Sequence, residues 1–254
     1  MTHISAFKCE DSNPKQGLGR ILALIPAKEG SRRLPAKNIL PLAGVSLLER
    51  AVLSARKAGV FDRISVSTES EKVAAIARGA GVDVPFMRPA ELAQDPAGVV
   101  DVSLHALDEW ESCGEKFDTL VILLPTSPFR VASDIIAALR AYRRLEVDFL
   151  MSVVKEVHSP LASLVRDAEK ALPLHPEWLN RTGSRMTTEV PDLVRANGAV
   201  VVANVARFRR ERNYYAYPLG TIEMPIERSL DIDTPMEFAL AEFLAERHPD
   251  WIDD

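Results

Sequence analysis

The sequence predicts an α/β fold in which helices cover both faces of a mostly parallel sheet. Residues 21–25 and 119–124 are short, continuous apolar segments with the length and composition of buried strands. Segments with helical periodicity alternate with such strands, which is typical of parallel sheets. The strands lack polar alternation, and this indicates that both faces of the sheet are covered.

The elements before residue 115 follow from apolar runs, helical spacing and capping residues. Apolar residues at three- and four-residue spacing follow Ser46, whose hydroxyl is suited to cap a helix. The predicted elements are, in order, a strand at 21–25, a helix capped by Ser46, a strand at 64–67, a helix at 71–78, a short strand at 82–86 and a helix at 98–110.

The later elements are predicted in the same way. Thr234, Pro235 and Glu237 form the sequence signature of a capping box with proline at the first helical position. The predicted elements are, in order, a strand at 119–124, a helix capped by Ser133 that ends near Arg144, strands at 149–154 and 198–205, and a helix at 234–246. Prolines interrupt residues 157–195, which we interpret as an inserted arm of the domain spanning 20–254.

The composition argues against several classes of protein. A net charge of −5 disfavours non-specific binding to nucleic acid or to an anionic membrane. The two cysteines, Cys9 and Cys113, have no metal-binding spacing, and such sparse cysteine fits a reducing cytoplasm. Apolar runs are too short to cross a bilayer, and residues 1–19 lack the apolar centre of a signal peptide. We therefore expect a cytoplasmic protein with a flexible tail at 1–19.

The loop after the first predicted strand, residues 26–38, concentrates four cations within ten residues of an acidic chain. A triphosphate requires several converging donors, which lysines, arginines, a hydroxyl and glycine-exposed backbone amides supply. The loop lacks the ending of a Walker loop and the three glycines of a dinucleotide-binding loop. A solvated basic loop is the alternative, but its position at the carboxyl end of a buried strand favours a phosphate site.

Asp231 and Asp233 lie two residues apart, so on an extended segment both carboxylates point to the same side. Such a pair suits Mg²⁺, which binds few protein oxygens together with substrate phosphate. The alternative is an exposed strand residue followed by an extra helix cap. Capping accounts for only one of the two aspartates, and a metal site is therefore favoured.

Three further polar segments are open to functional and structural interpretations alike. Thr126 and Ser127 lie in a proline-flanked loop that follows the most apolar strand, and Arg88 begins a polar loop. Arg185 and Asn197 flank the last apolar strand, where an arginine is suited to clamp a substrate carboxylate. A rigid turn or an ordinary surface role would also explain each of them.

Together these motifs resemble the CMP-N-acylneuraminate (CMP-sialic acid) synthetases. Six segments occur in the order of that family, and the resemblance extends over residues 20–244. The segments are 25–38, 66–69, 88–93, 125–130, 197–199 and 229–235. The resemblance implies a Rossmann-like nucleotidyltransferase that couples CTP to an acidic 2-keto-3-deoxy sugar with Mg²⁺. It also implies a homodimer in which 157–194 matches the dimerisation arm.

The motifs and the resemblance together suggest roles for individual residues. The catalytic candidates are Lys37, Asp233 and Arg32, and the metal candidates are Asp231 and Asp233. The nucleotide-binding candidates are Ala27, Lys28, Gly30, Ser31, Arg32, Lys37, Asn38 and Arg88. The sugar-binding candidates are Thr126, Ser127, Arg185 and Asn197, which belong to the polar segments described above.

The departures from the family pattern lie mainly on the sugar side. Lys28 replaces an arginine on the nucleotide side, whereas Leu124, Val201 and Thr187 replace a glutamine, a tyrosine and an arginine on the sugar side. Arg185 is a candidate substitute for that last arginine. The sugar therefore stays open between N-acetylneuraminate and a legionaminic- or pseudaminic-type acid.

Two other functions remain alternatives. One is a 3-deoxy-octulosonate cytidylyltransferase, a family that lacks the Asp-Ile-Asp-Thr-Pro segment. The other is a nucleotide-sugar-binding protein without catalysis. The sequence also does not distinguish CTP from GTP, because base choice depends mostly on contacts with loop backbone.

Overall fold

A computed structural model describes residues 13–158, 160–178 and 191–252. Its strands are β1 (Ile21–Pro26), β2 (Pro41–Leu42), β3 (Val45–Ser46), β4 (Arg63–Ser67), β5 (Thr119–Ile122), β6 (Phe149–Lys155), β7 (Leu164–Asp167), β8 (Lys170–Pro173), β9 (Val194–Asn204) and β10 (Leu219–Glu223). Its helices are α1 (Leu47–Ala58), α2 (Glu71–Gly79), α3 (Val99–Ser112), α4 (Ala132–Leu145), α5 (Val205–Glu211) and α6 (Pro235–Arg247).

Six of the strands form one mixed sheet in the order β10-β6-β9-β5-β1-β4. β1 is parallel to β4 and β5, and β10 is parallel to β6. β9 is antiparallel to both of its neighbours. The chain leaves β6, passes through the arm and returns directly beside it, with Lys155 opposite Val194, and this return reverses β9. The predicted α/β fold is confirmed.

Alternating residues of β1 contribute to two separate apolar layers. Ile21, Ala23 and Ile25 pack with α1, α2 and α4. Leu22 and Leu24 pack on the opposite face with α3 and α5. A central strand buried on both faces has little freedom to shift, because a slip by one residue would exchange its two faces. The loops at its carboxyl end are therefore held in fixed positions.

Two of the predicted helix caps are confirmed. The Ser46 hydroxyl accepts a hydrogen bond from the Glu49 amide, and the Glu49 carboxylate accepts one from the Ser46 amide. Thr234 and Glu237 form the same reciprocal pair at the start of α6. Each pair satisfies backbone donors that have no partner inside the helix.

Two local predictions are wrong. Residues 82–86 form a loop, in which Val82 and Val84 are buried against the core without joining a strand ladder. Ser133 lies inside α4, because the helix already begins after Val131, and the Asp134 carboxylate accepts a hydrogen bond from the Val131 amide at 3.0 Å. The edge strand β10 was not predicted.

The N-terminal tail and the inserted arm are each described in part. In the tail, Leu18 is buried and the Lys15 ammonium lies 2.6 Å from the Asp62 carboxylate. In the arm, β7 and β8 form an antiparallel hairpin. Residues 1–12 and 179–190 lie outside the described part of the chain, and the second range includes both Arg185 and Thr187.

Within residues 13–158, 160–178 and 191–252, none of the helices has the length and apolar character needed to span a bilayer.

Candidate active site

A cleft of about 270 Å³ opens at the carboxyl ends of β1 and β5. In open α/β sheets this edge is the usual ligand site. The structure brings eight of the predicted site residues to its wall: Lys28, Ser31, Lys37, Asn38, Arg88, Thr126, Asp231 and Asp233. Leu92, Ala97, Val99 and Val102 add an apolar side to the cleft. Residues separated by up to about 200 positions thus share one cavity with a polar and an apolar side.

The Lys37 ammonium contacts the Asp233 carboxylate and donates to the Ile232 carbonyl at 3.2 Å. The Arg33 guanidinium binds the other Asp233 oxygen. Partial burial opposes ionisation of Asp233, but the hydrogen bonds and positive charges of Lys37 and Arg33 lower its pKa below the ordinary value. Asp233 is therefore a carboxylate at neutral pH, held between two cations.

Asp231 has the opposite environment. Burial raises the pKa of Asp231, with nearby Asp233 adding to the effect, although a hydrogen bond with Thr126 and the charge of Lys37 oppose it. Its Oδ1 atom is buried and has no hydrogen-bond partner among the described residues. A buried carboxylate oxygen without a partner is costly, and a bound cation would offset that cost.

The donor set agrees with a hard cation. Among the described residues, His, Cys, Asp and Glu side chains do not form a cluster of three or more that would hold a metal alone. Two carboxylates with remaining positions for phosphate oxygens match the way Mg²⁺ is bound by nucleotide enzymes. Asp231 and Asp233 therefore fit the predicted metal.

Backbone contacts give the basic loop its shape. Ala36 has a left-handed backbone conformation with φ of 53°, after which residues 37–39 form a 3-10 turn. The side-chain amide of buried Asn38 donates to the Lys28 carbonyl at 2.8 Å, and the Ala27 backbone amide donates to the Ser67 carbonyl at 3.0 Å. Ala27 and Asn38 thus fix the loop against its own stem and against β4.

Three predicted nucleotide-binding residues, Ala27, Arg32 and Gly30, do not line the cleft in this structure. Ala27 is fully buried. Arg32 is exposed and pairs with Asp95 at 2.9 Å. Gly30 has open space where a Cβ would be, so the absence of a side chain is not required by a neighbouring atom.

Arg88 is buried and its guanidinium pairs with Glu69. The second Glu69 oxygen accepts a hydrogen bond from the Glu29 amide at 3.0 Å, and the Arg88 amide donates to the Thr68 carbonyl at 2.8 Å. Glu69 therefore joins the basic loop to the Arg88 loop. The sequence placed Glu69 in a motif after a strand, but its bridging role was not predicted.

The predicted sugar-binding residues divide into three groups. Thr126 lines the cleft and forms a side-chain hydrogen bond with Asp231. Ser127 and Asn197 are buried behind the wall, where the Ser127 hydroxyl donates to the Asn197 carbonyl at 3.3 Å. Arg185 lies outside the described residues.

Asn197 is used entirely for internal contacts. Its side-chain oxygen Oδ1 accepts from the Ser152 hydroxyl at 2.6 Å and from the Ala199 backbone amide at 3.2 Å. Its amide group donates to the Ser229 hydroxyl at 3.0 Å and to the Met224 sulfur at 3.4 Å. The structure thus gives Asn197 a structural role that its position in the sequence did not predict.

Arg130 also turns inward rather than toward the cleft. Its guanidinium donates to the Leu124 and Ala199 carbonyls, both at 2.9 Å. Burial lowers the pKa of Arg130 to about 10, while Asp134 acts in the opposite direction. Arg130 therefore remains charged at neutral pH and links the loop after β5 to β9.

Comparisons with known proteins agree with this geometry. The family model described as cytidylyltransferase matches residues 22–244. A Legionella pneumophila protein named CMP-N,N'-diacetyllegionaminic acid synthase is 30% identical over 89% of this chain and 97% of its own length. An Escherichia coli N-acylneuraminate cytidylyltransferase is 33% identical over 87% of this chain, which spans 51% of that relative.

Solved structures show the same fold at lower identity. A CMP:2-keto-3-deoxy-manno-octonic acid synthetase complexed with CTP has a TM-score of 0.64 and 16% identity, and the match covers 91% of this chain and 99% of the other. A 4-diphosphocytidyl-2C-methyl-D-erythritol synthase from Anaerococcus prevotii has a TM-score of 0.61 and 9% identity, with coverages of 90% and 99%. The extent of the family match, together with the cleft, identifies the chain as a nucleotidyltransferase of the cytidylyltransferase family.

Proposed function

We propose that this enzyme transfers the cytidylyl group of CTP to a nonulosonic acid, releasing pyrophosphate. The observation that carries the proposal is the arrangement of Lys37, Asp231 and Asp233 at one end of a cleft with an apolar side. The names of the relatives supply the class of sugar. They include N-acylneuraminate, legionaminate and pseudaminate enzymes at about 30% identity, so the particular acid is left to experiment.

In the proposed reaction the anomeric hydroxyl oxygen of the sugar attacks the α-phosphorus of CTP. A new phosphorus–oxygen bond forms, the bond to the β-phosphate oxygen breaks, and pyrophosphate leaves. Such transfers depend mainly on positioning and electrostatic stabilisation. Asp233 is ionised at neutral pH, and its carboxylate is proposed to accept the hydroxyl proton.

The cations have separable roles in this scheme. Lys37 lies beside Asp233 in the cleft, and its charge is proposed to stabilise the transition state at the α-phosphate. Lys28 lines the same cleft and is proposed to bind the leaving pyrophosphate. Arg32 joins it if triphosphate draws its guanidinium away from Asp95, a surface pair that costs little to break.

Asp231 and Asp233 would hold Mg²⁺. When bound, Mg²⁺ supplies a Lewis acid that neutralises charge on the phosphate oxygens. The buried, unpartnered Oδ1 atom of Asp231 supports this assignment. We propose that Arg88 and the apolar residues of the cleft contact the nucleoside. Arg88 offers a guanidinium donor that is held by Glu69, and the apolar residues offer a non-polar surface.

We also propose that a second copy of the chain covers the arm. Apolar side chains of the hairpin and its flanks are unusually exposed, at 59% for Leu164, 50% for Val165 and 61% for Leu172. Contiguous exposed apolar residues are typical of an interaction surface. A homodimer would cover them, in agreement with the sequence resemblance.

A pyrophosphate-release screen tests the function. Four nucleoside triphosphates would be combined with a panel of nonulosonic and octulosonic acids, with and without Mg²⁺. The proposal expects Mg²⁺-dependent release from CTP with at least one nonulosonic acid. Release with an octulosonic acid alone, or with another nucleotide alone, would contradict it.

A further inference from the structure

Arg228 and Asp134 form a bidentate ion pair behind the cleft. The two nitrogen–oxygen distances are 2.5 and 2.9 Å, and the side chains are only 17% and 10% exposed. Paired, parallel hydrogen bonds between a guanidinium and a carboxylate fix geometry as well as charge. Lysine is not equivalent to arginine in such a pair, because it lacks the planar fork.

The pair connects the segment that carries the aspartates to the start of α4. Asp134 caps that helix by accepting a hydrogen bond from the Val131 amide at 3.0 Å. Arg228 also donates to the Phe129 carbonyl at 3.2 Å. Arg228, which lies three residues before Asp231, thus contacts both Phe129 in the loop after β5 and Asp134 in the first turn of α4.

Two other contacts hold the same segment. The Asn197 side-chain amide donates to the Ser229 hydroxyl at 3.0 Å, and the Ile232 backbone amide donates to the Thr126 backbone carbonyl at 2.8 Å. Residues 228–232 are therefore tied to the sheet edge by their side chains and backbone. Asp231, at the centre, has its Oδ1 atom buried without a partner among the described residues.

We propose that Arg228 and Asp134 are positioning residues that set the affinity of the aspartate pair for its divalent cation. The inference rests on the proposed function. Neither side chain lines the cleft, so each acts through the backbone of the segment that carries Asp231 and Asp233. Groups that orient metal ligands commonly change metal affinity or activity by about 10- to 100-fold when they are altered.

The test compares Arg228→Lys with the wild-type enzyme. Mn²⁺ would be titrated into protein saturated with the non-reacting analogue α,β-methylene-CTP, and free Mn²⁺ would be followed by electron paramagnetic resonance. We expect the Kd for Mn²⁺ to rise about 10-fold, because the single ammonium does not reproduce both bonds. In turnover assays the Mg²⁺ concentration for half-maximal rate should rise in parallel, and excess Mg²⁺ should restore most of kcat.

Arg207→Lys is the matched control. Arg207 lies in α5 and pairs with Asp148 at 3.1 Å, on the opposite edge of the sheet. This variant makes the same chemical change and should leave the Kd for Mn²⁺ unchanged. Asp134→Asn is a second variant, which retains an oxygen acceptor for the Val131 amide and is expected to raise the Kd in the same direction.

A structural role alone would have a different signature. If folded Arg228→Lys and Asp134→Asn melt at lower temperature but keep the wild-type Kd for Mn²⁺, the inference is overturned; should one variant fail to fold, the other decides. The binding comparison does not need turnover. A wild-type enzyme that binds Mn²⁺ and the analogue but makes no product would contradict the proposed function alone.

Discussion

Lys37 combines charge and burial in a way that its basic neighbours do not. Its side chain is 15% exposed beside Asp233, whereas Arg33 on the same carboxylate is 64% exposed. A charge in a partly dry site acts more strongly on a developing negative charge than one in water. The role proposed for the basic loop is therefore concentrated at Lys37.

Lys37→Ala should lower kcat by about 10²–10³, the usual effect of removing one preorganised electrostatic group. Pyrophosphate release at saturating CTP and Mg²⁺ measures this, and a melting curve checks folding. Arg33→Ala is the control and should have a smaller effect, because that guanidinium is largely solvated. Equal losses in both variants would argue against the distinction between them.

Glu115, at the other edge of the sheet, gives a prediction about how the stability of the protein depends on pH. Hydrogen bonds from Arg63 and Arg20 lower the pKa of Glu115 to about 2 from an ordinary value of 4.5. A lowered folded-state pKa contributes stability above the unfolded-state value, and this is lost as pH falls toward the folded-state value. Glu115→Gln should therefore be less stable than wild type near neutral pH, and the difference should shrink below about pH 4.5 and vanish near pH 2.

Urea unfolding of both proteins across that range is the measurement. A stability difference that stays constant down to pH 2 would show that the Glu115 charge is not its source. Because this carboxylate is far from the cleft, turnover near neutral pH should be little changed.

The residue types predicted which side chains line the cleft better than they predicted which buried side chains lie behind it. Lys37, Asp231 and Asp233 were predicted because charge type and spacing state their chemistry locally. Asn197 was assigned to the sugar, yet it bonds Ser152, Met224 and Ser229, which are distant in sequence. Partners of that kind are known only after the strands are placed.

At the scale of elements, capping chemistry explains where helices begin. Ser46→Ala should lower the free energy of unfolding by about 1 kcal/mol, because it removes one half of the capping box of α1. Chemical denaturation measures the change. Activity of the folded protein should be retained, and loss of activity without loss of stability would contradict the structural role.

The wrong element predictions share a physical cause. Apolar residues alternate along 82–86 as they do in a strand, but the segment is a loop. Val82 and Val84 bury their side chains in the core from this loop. Ser133 is a suitable cap by type, yet Asp134 satisfies the amide of Val131 one turn earlier. β10 contains Gly220 and exposed Glu223, so it lacks the apolar signal of the central strands. In each case tertiary packing decided between locally similar choices.

For the whole molecule, chain order explains why distant motifs meet. The parallel strands β1, β4 and β5 end at one edge, where the antiparallel β9 begins. The sequence predicted this edge but not the reversed direction of β9, because strand direction depends on the route of the arm. The meeting of Lys37 with Asp233, 196 residues apart, follows from that topology.

The exposed hairpin predicts a dimer whose assembly can be disrupted. Introducing Leu164→Glu together with Leu172→Glu should place two charges on the proposed interface. Light scattering should then give a mass near 28.0 kDa, against twice that value for wild type. Leu53→Glu on α1, where the leucine is 42% exposed, is the control and should remain dimeric. A wild-type monomer would contradict the proposal.

In the proposed function, a cytidylyl group is transferred to an acidic sugar in this cleft, and the transfer depends on Asp231 and Asp233. The most direct measurement follows the label of [α-³²P]CTP incubated with Mg²⁺ and the nonulosonic acid found active in the screen, using wild type and Asp233→Asn. Wild type should move the label into a CMP-sugar, and folded Asp233→Asn should do so at least about 100-fold more slowly. Label that stays in CTP with wild type, or an Asp233→Asn variant that matches wild type, would contradict it.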